Sequence, residues 1–139
     1  MRPSAIMLVP PREAPKNVYG LPLQKCSKPG MAPTGYDRSG RCAEHAGDLG
    51  SHHVCVADIG KRVDGKTFCE ATGQSDWCSE GDRESWCVCE WAFEKHARDK
   101  GCEALTIDCE ATNQLALEHY KQHGSDKMVD CVLKQCFHR

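Results

Sequence analysis

Large aromatic side chains are scarce in this sequence: three phenylalanines, three tryptophans and three tyrosines stand among 139 residues. Long apolar runs are missing too, because the longest unbroken one, Ala5–Val9, is far too short to cross a membrane. A chain of this length still corresponds to one domain with a modest core. With so few aromatics, a large apolar core is not the obvious source of its stability.

An excess of basic charge is also missing. Lysine and arginine number 18 against 20 acidic residues, which gives a net charge of −2. This balance gives no reason to expect binding to nucleic acid or to an anionic membrane. The sequence contains no glycine-rich phosphate loop, no Gly-x-Ser-x-Gly and no His-Glu-x-x-His. It therefore favours a role that is not enzymatic, and we expect no catalytic residues and no cofactor.

Cysteine is abundant instead, with eleven in 139 residues, which is at the edge of the content that small disulfide scaffolds show. Because cytosolic thiols stay reduced, such a framework predicts an oxidising compartment, either an organelle lumen such as the thylakoid or the outside of the cell. The first residues do not resemble a signal peptide, so we expect a presequence upstream of this numbering. All the cysteines are disulfide candidates: Cys26, Cys42, Cys55, Cys69, Cys78, Cys87, Cys89, Cys102, Cys109, Cys131 and Cys136.

The stretch SWCVCEW, residues 85–91, holds two cysteines one residue apart. Their thiols could form a redox pair, bind one metal ion or belong to two separate disulfides. Redox dithiols are usually Cys-x-x-Cys, which is absent from the chain, and the cysteine gaps do not repeat a structural zinc pattern. We expect Cys87 and Cys89 to lie on a helix, where they point about 200° apart. They should therefore bond to two different partners.

Short bridges are expected elsewhere. Cys69–Cys78 would staple the long polar loop of residues 60–83, and Cys102–Cys109 would close a short loop. Cys131 and Cys136 point about 140° apart on a helix and should pair elsewhere. Because eleven is odd, at least one thiol stays free or bonds to another chain.

Two other classes of protein stay open. A zinc or copper protein would use Cys42, His52 and Cys55 together with a thiol from Cys87 or Cys89. A thiol–disulfide redox protein would instead cycle one exposed disulfide.

The remaining histidine pairs favour ordinary structural roles. On a strand His52 and His53 point to opposite faces, and we expect one to be hydrogen-bonded in a turn and the other solvated. His119 and His123 are four residues apart on a predicted helix and could clip a metal ion. Their polar neighbours make a solvated helix face the better interpretation.

The chain divides into a proline-rich arm, residues 1–16, and a cysteine-rich domain, residues 17–139. The prolines keep the arm extended, so its backbone groups cannot be satisfied by a helix of its own. Its apolar run marks a contact site, and we expect it to dock on another subunit through Ile6, Met7, Leu8 and Val9.

The pattern within the domain predicts an α+β fold, with short strands first and helices later. We expect a strand over His52–Asp58 and a short strand or hairpin over Tyr36–Cys42. Apolar residues at three- and four-residue steps predict three helices, at about Glu84–Lys100, Thr112–His123 and Ser125–Gln135.

Four motifs follow one another along the chain: KNVYGLPLQKC (Lys16–Cys26), TGYDRSGRC (Thr34–Cys42), DLGSHHVC (Asp48–Cys55) and WCVCEW (Trp86–Trp91). Taken in this order, they resemble an uncharacterised family of bacteria and algae, domain of unknown function twenty-two thirty-seven. The chain departs from the bacterial pattern between residues 58 and 82, where a shorter segment with extra cysteines replaces a long proline-rich loop. The resemblance implies no activity, but it implies one shared core containing Arg38, Gly40, Gly50, Ser51 and His52.

From these features we expect a non-catalytic structural or interaction module, an accessory subunit of a larger protein assembly.

Overall fold

The computed structural model describes residues 14–73 and 84–137. The fold is α+β, as predicted. Its regular elements in these ranges are the strands β1 (Val54–Val56) and β2 (Trp86–Val88) and the helices α1 (Phe68–Ala71), α2 (Glu90–Lys100), α3 (Gln114–Gln122) and α4 (Asp126–Phe137), with 3₁₀ turns at Cys102–Ala104 and Cys109–Ala111. Within the same ranges no helix is long and apolar enough to cross a membrane.

The two strands form a small antiparallel sheet at the centre of the domain. Val54 pairs with Val88, Cys55 with Cys87 and Val56 with Trp86. All of these residues are buried, so both faces of the sheet are covered.

Each helix contributes a fully buried side chain to the core around this sheet. These are Phe68 from α1, Phe93 from α2, Tyr120 from α3 and Val132 from α4. The core is therefore built from contacts between distant segments, with one or two large side chains from each.

The predicted helix that starts near Glu84 is wrong over its first turn. Residues 86–88 pair with β1 instead, and the Cys87 amide also donates to Thr34 Oγ1 at 3.0 Å. Cys89 has an extended ψ of 131° and precedes the helix, which begins at Glu90. Hydrogen bonds across the sheet thus use the backbone N–H and C=O groups that a helix would have paired internally. Tertiary pairing therefore overrides the helical spacing of the apolar residues.

The other predicted elements agree better with the structure. The strand over His52–Asp58 is present as the shorter β1, and the two C-terminal helices are α3 and α4. The segment Tyr36–Cys42 forms turns rather than a strand, with the Ser39 amide donating to Asp37 Oδ1 at 3.0 Å. The aspartate side chain thus replaces the cross-strand partner that the prediction assumed.

Disulfides staple the domain, as predicted, although not all in the expected pairs. The four bridges between described cysteines are Cys26–Cys55, Cys42–Cys87, Cys102–Cys131 and Cys109–Cys136. The predicted Cys102–Cys109 bridge is therefore wrong, because each of these cysteines ties its own turn to α4. Cys131 and Cys136 pair with different partners, as their positions on a helix predicted.

Three sequence-based predictions involve residues outside the described ranges or at their edge. Cys69 is disulfide-bonded, but Cys78, its predicted partner, lies outside the described residues. Most of the predicted arm, with the docking residues Ile6, Met7, Leu8 and Val9, lies there as well. Of the arm, residues 14–16 are described, and they are exposed.

Candidate functional site

Two histidines converge on one buried carboxylate beside the sheet. His53 Nδ1 lies 2.5 Å from Glu90 Oε1. His119 Nδ1 lies 3.0 Å from the same oxygen and 2.8 Å from Glu90 Oε2. The side chains of His53 and Glu90 are fully buried, whereas that of His119 is 24 % exposed. We call His53, Glu90 and His119 the His–Glu–His cluster.

The antiparallel sheet brings two of these residues together. His53 directly precedes β1, and Glu90 follows β2 as the first residue of α2. Because Val54 pairs with Val88, the start of β1 lies beside the end of β2. The cluster therefore sits at this end of the sheet, and the Glu90 amide is held there by donating to Ser51 O at 3.1 Å.

Asn113 fixes α3, the helix that carries His119, to the other two segments of the cluster. Its side chain caps α3 by accepting from the Leu115 amide at 2.9 Å, while its own amide donates to His53 O at 2.9 Å. Its Nδ2 donates to Cys42 O at 3.1 Å. This buried residue thus joins the helix that carries His119, the segment that carries His53 and the loop that begins at Cys42.

A second carboxylate reaches the cluster from that loop. Glu44 Oε1 lies 3.0 Å from His53 Nε2, and the Glu44 side chain is 54 % exposed. The Cys42–Cys87 disulfide attaches the start of this loop to β2. Both ring nitrogens of His53 therefore face a glutamate.

The charges in and around the cluster shift the pKa of one of its members, His53, and of one neighbour, Tyr120. Burial lowers the pKa of His53, but the hydrogen bonds and negative charges of Glu90 and Glu44 outweigh burial and raise the pKa above its ordinary value. Burial, reinforced by the Glu90 charge, raises the pKa of Tyr120 well above its ordinary value. Tyr120 therefore stays neutral, and its hydroxyl donates to Glu90 O at 2.6 Å.

The cluster has the dimensions of a metal site. One ligand atom from each of the three residues lies within 4.8 Å of the other two. Around a tetrahedral ion with bonds of about 2.0–2.1 Å, neighbouring ligand atoms stand about 3.3 Å apart. The present contacts of 2.5 and 2.8 Å would need to open by less than about 1 Å. Rotation of the partly exposed His119 can supply part of that movement.

The metal ligands expected from the sequence have other roles. Cys42, Cys55 and Cys87 do lie together, but their sulfurs belong to two disulfides. A metal requires the thiolate, so these sulfurs are not ligands while oxidised. The close grouping of the Cys26, Cys42 and Cys55 sulfurs likewise reflects adjacent bridges rather than a ligand set.

His52 does not join the cluster either. Its Nδ1 lies 2.6 Å from Asp48 Oδ1, and its amide donates to Asp48 Oδ2 at 2.8 Å. Burial raises the pKa of Asp48, but hydrogen bonds from His52 and Gly50 outweigh burial, so the net pKa is lowered. This pair closes the turn before β1, which is the structural role expected for one histidine of the two. The expectation that the other histidine is solvated is wrong, because His53 is fully buried against Glu90.

Cys89 is the free cysteine among the described residues, and it is half-buried. The prediction that Cys87 and Cys89 bond to two different partners is therefore wrong for Cys89. It immediately precedes α2, without a hydrogen bond from its side chain to the helix end.

Sequence reasoning missed the residues that do converge. His53 and Glu90 are 37 positions apart, and Glu90 and His119 are 29 apart. No motif spacing links them, and the solvated helix face expected for His119 gave no reason to place it beside a buried carboxylate. A glutamate directly after the apolar stretch WCVC was the one available signal, because such a residue is rarely buried without a partner.

The chain belongs to the family described as an uncharacterized protein conserved in bacteria, DUF2237, which matches residues 16–127. The resemblance carried by the four motifs is thereby confirmed. The matched region contains Glu44 and the whole His–Glu–His cluster. No curated protein matches the chain.

Proposed function

We propose that this protein binds one divalent transition-metal ion, best matched by Zn²⁺, through His53, Glu90 and His119. The observation that carries the proposal is the convergence of two Nδ1 atoms on a carboxylate that is fully buried. Imidazole nitrogens and a carboxylate oxygen form an established zinc ligand set.

The position of His119 supports a shared ligand volume. Its Nδ1 contacts both Glu90 oxygens, at 3.0 and 2.8 Å, and so faces the carboxylate rather than one lone pair of it. His53 approaches one of the same oxygens, and the two imidazole rings lie 5.6 Å apart. Three potential ligands thus surround one small space.

The disulfides help to select the metal. Cys42, Cys55 and Cys87 are oxidised and offer no thiolate, and the free Cys89 is not among the residues whose ligand atoms converge on the cluster. Ligands that contain nitrogen and oxygen favour Zn²⁺ over Cu⁺, which prefers sulfur, and over Mg²⁺, which prefers oxygen alone. Three protein ligands leave the fourth zinc position open.

We also propose that the protein works in an oxidising organelle lumen or outside the cell. The support is the four disulfides between described cysteines, which are consistent with an oxidising environment. The sequence-based role as an accessory subunit of a larger assembly stays a prediction, and co-purification from native membranes and soluble fractions would test it.

The metal proposal is tested by zinc titration of the oxidised protein after treatment with a chelator. We expect one Zn²⁺ per chain by calorimetry and by elemental analysis, with Mg²⁺ in excess failing to compete. His119→Asn should lose the binding. His123→Asn is the matched control, because His123 ends the same helix and packs on Trp91, with the ring centroids 4.9 Å apart, instead of joining the cluster. Equal zinc binding by the two variants, or no stoichiometric binding by the native chain, would contradict the proposal.

A further inference from the structure

We infer that Glu44 is the positioning residue of this site and makes Nδ1 of His53 the atom that binds the metal. The inference rests on the proposed zinc site and concerns how its ligand is oriented. The two nitrogens of the His53 ring face two different glutamates. His53 Nδ1 faces Glu90 at 2.5 Å, and Nε2 faces Glu44 at 3.0 Å.

A metal-binding imidazole has to be neutral, with one nitrogen protonated and the other offering its lone pair. An ionised glutamate only accepts hydrogen bonds, so Glu44 retains the proton on Nε2. In the metal-loaded protein the lone pair of Nδ1 is then directed toward the ion that Glu90 and His119 share. This is the arrangement in which a carboxylate behind a histidine fixes its tautomer and strengthens it as a ligand.

Glu44 acts from outside the group of ligands. Its carboxylate lies at the Nε2 edge of the His53 ring, whereas the cluster forms at the Nδ1 edge. An ion held at Nδ1 therefore has His53 between itself and Glu44. Glu44 acts on the metal only through that ring.

Covalent and hydrogen-bonded supports hold Glu44 in this place. Cys42, two positions earlier, is bonded to Cys87 on β2, and its carbonyl accepts from Asn113 Nδ2. Glu44 Oε1 also accepts a hydrogen bond from the neighbouring His45 amide at 3.1 Å. The rest of the Glu44 side chain is open, since it is 54 % exposed and borders a cavity of about 430 Å³ with Leu115. Substitution of Glu44 should consequently disturb the site while leaving the packing of the core intact.

The experiment compares Glu44→Ala, Glu44→Gln and Glu44→Asp with Glu103→Ala. Glu103 is a matched control because its side chain is similarly exposed, at 64 %. Its Oε1 pairs with Lys134 Nζ at 2.6 Å, and it contacts no cluster residue. Zinc dissociation constants are measured by competition with a chromophoric chelator, and thermal melting checks the fold. The protonated nitrogen of His53 is identified by ¹⁵N NMR of the zinc-loaded proteins.

We expect Glu44→Ala to weaken zinc binding by about 10–100-fold while leaving one ion per chain. Glu44→Gln should be intermediate, because an amide oxygen still accepts a hydrogen bond but carries no charge. Glu44→Asp should restore part of the affinity, and Glu103→Ala should match the native chain. In the native protein the NMR spectrum should show zinc at Nδ1 and the proton at Nε2.

Two results would overturn the inference while leaving the metal site in place. One is equal zinc affinity in Glu44→Ala and Glu103→Ala. The other is complete loss of binding in Glu44→Ala together with zinc at Nε2 of His53 in the native protein, which would make Glu44 a ligand. If the native chain and His123→Asn both fail to bind zinc, the proposed function and this inference fall together.

Discussion

Cys55 and Cys87 stand directly opposite each other in the β1–β2 ladder, yet no disulfide joins them. Cys55 is joined to Cys26 and Cys87 to Cys42, with Cα–Cα distances of 5.7 and 5.4 Å. The two bridges therefore extend from one small sheet to two separate loops. Together with Ala111 these four cysteines form a buried cluster apart from the main core. The sheet thereby anchors loops that have few large side chains to bury.

Peptide mapping of the unreduced protein should reveal this connectivity. After alkylation and digestion we expect linked peptides for Cys26–Cys55, Cys42–Cys87, Cys102–Cys131 and Cys109–Cys136, and label on Cys89. A linked Cys102–Cys109 peptide, or a labelled Cys87, would contradict the structure.

Removal of the Cys42–Cys87 bridge should weaken zinc binding as well as stability. The double substitution to serine frees the loop that carries Glu44 and loosens its attachment to β2. We expect a loss of about 4 kcal/mol in the free energy of unfolding, estimated from loop closure, and a several-fold rise in the zinc dissociation constant.

The matched control is the double serine variant at Cys102 and Cys131. That bridge closes a chain segment of 29 positions against 45, so its loss should lower stability by a similar amount, about 3.5 kcal/mol. It joins the turn after α2 to α4 and contacts no cluster residue. Zinc affinity should therefore remain native, and an equal loss of affinity in both variants would show that the disulfides act only through global stability.

Asn113→Ala should destabilise the domain more than the loss of an ordinary helix cap. The cap itself contributes about 1 kcal/mol, and the buried Cys42 carbonyl that loses its donor adds about 1–3 kcal/mol. Thr67→Ala is the control, because Thr67 caps α1 in a capping box. Loss of that cap alone should lower the free energy of unfolding by about 1 kcal/mol. Denaturant unfolding at fixed pH measures both, and similar losses would argue against the role of Asn113 in joining three segments.

His96 should make the protein less stable in mild acid. It is buried beside Phe68, and within the described part of the chain its Nε2 has no hydrogen-bond partner. Burial lowers its pKa, and the charge of Lys100 adds to that effect more than Asp99 opposes it. The unfolded chain then binds more protons below about pH 6.5, so stability is complete above that pH and declines as the pH falls toward the folded pKa.

Denaturant unfolding at pH 7.5 and 5.5 should therefore show a larger loss in the native chain than in His96→Leu. The comparison between the two proteins isolates His96 from other groups that titrate in the same range. An identical pH dependence in both would mean that His96 is protonated without penalty in the folded protein.

The helices of the second half were predictable because their signals are local. Asn113 caps α3, Gly124 follows it with a φ of 69°, and the apolar face of α4 repeats at helical spacing. By contrast, β2 has three residues and exists through pairing with a strand about thirty positions earlier. Its Trp86 therefore fitted a helix pattern equally well.

The site could not be predicted for a related reason. The sequence directs attention to cysteines and to the His52–His53 pair, but oxidation removes the thiolates and Asp48 holds His52. What brings His53 and Glu90 together is the register of a short sheet, which no spacing in the sequence encodes. The disulfide framework was predictable from cysteine content, whereas its connectivity depends on the folded chain.

The direction in which the chain leaves the sheet has a consequence for how the domain tolerates insertions. The cluster lies at the end where Val54 pairs with Val88, while the connection between the strands leaves from the opposite end, where Val56 pairs with Trp86. Residues added there, for example at the exposed turn around Gly65, would extend away from the cluster. A peptide tag or spectroscopic probe at that turn would therefore report on the protein without displacing the ligands.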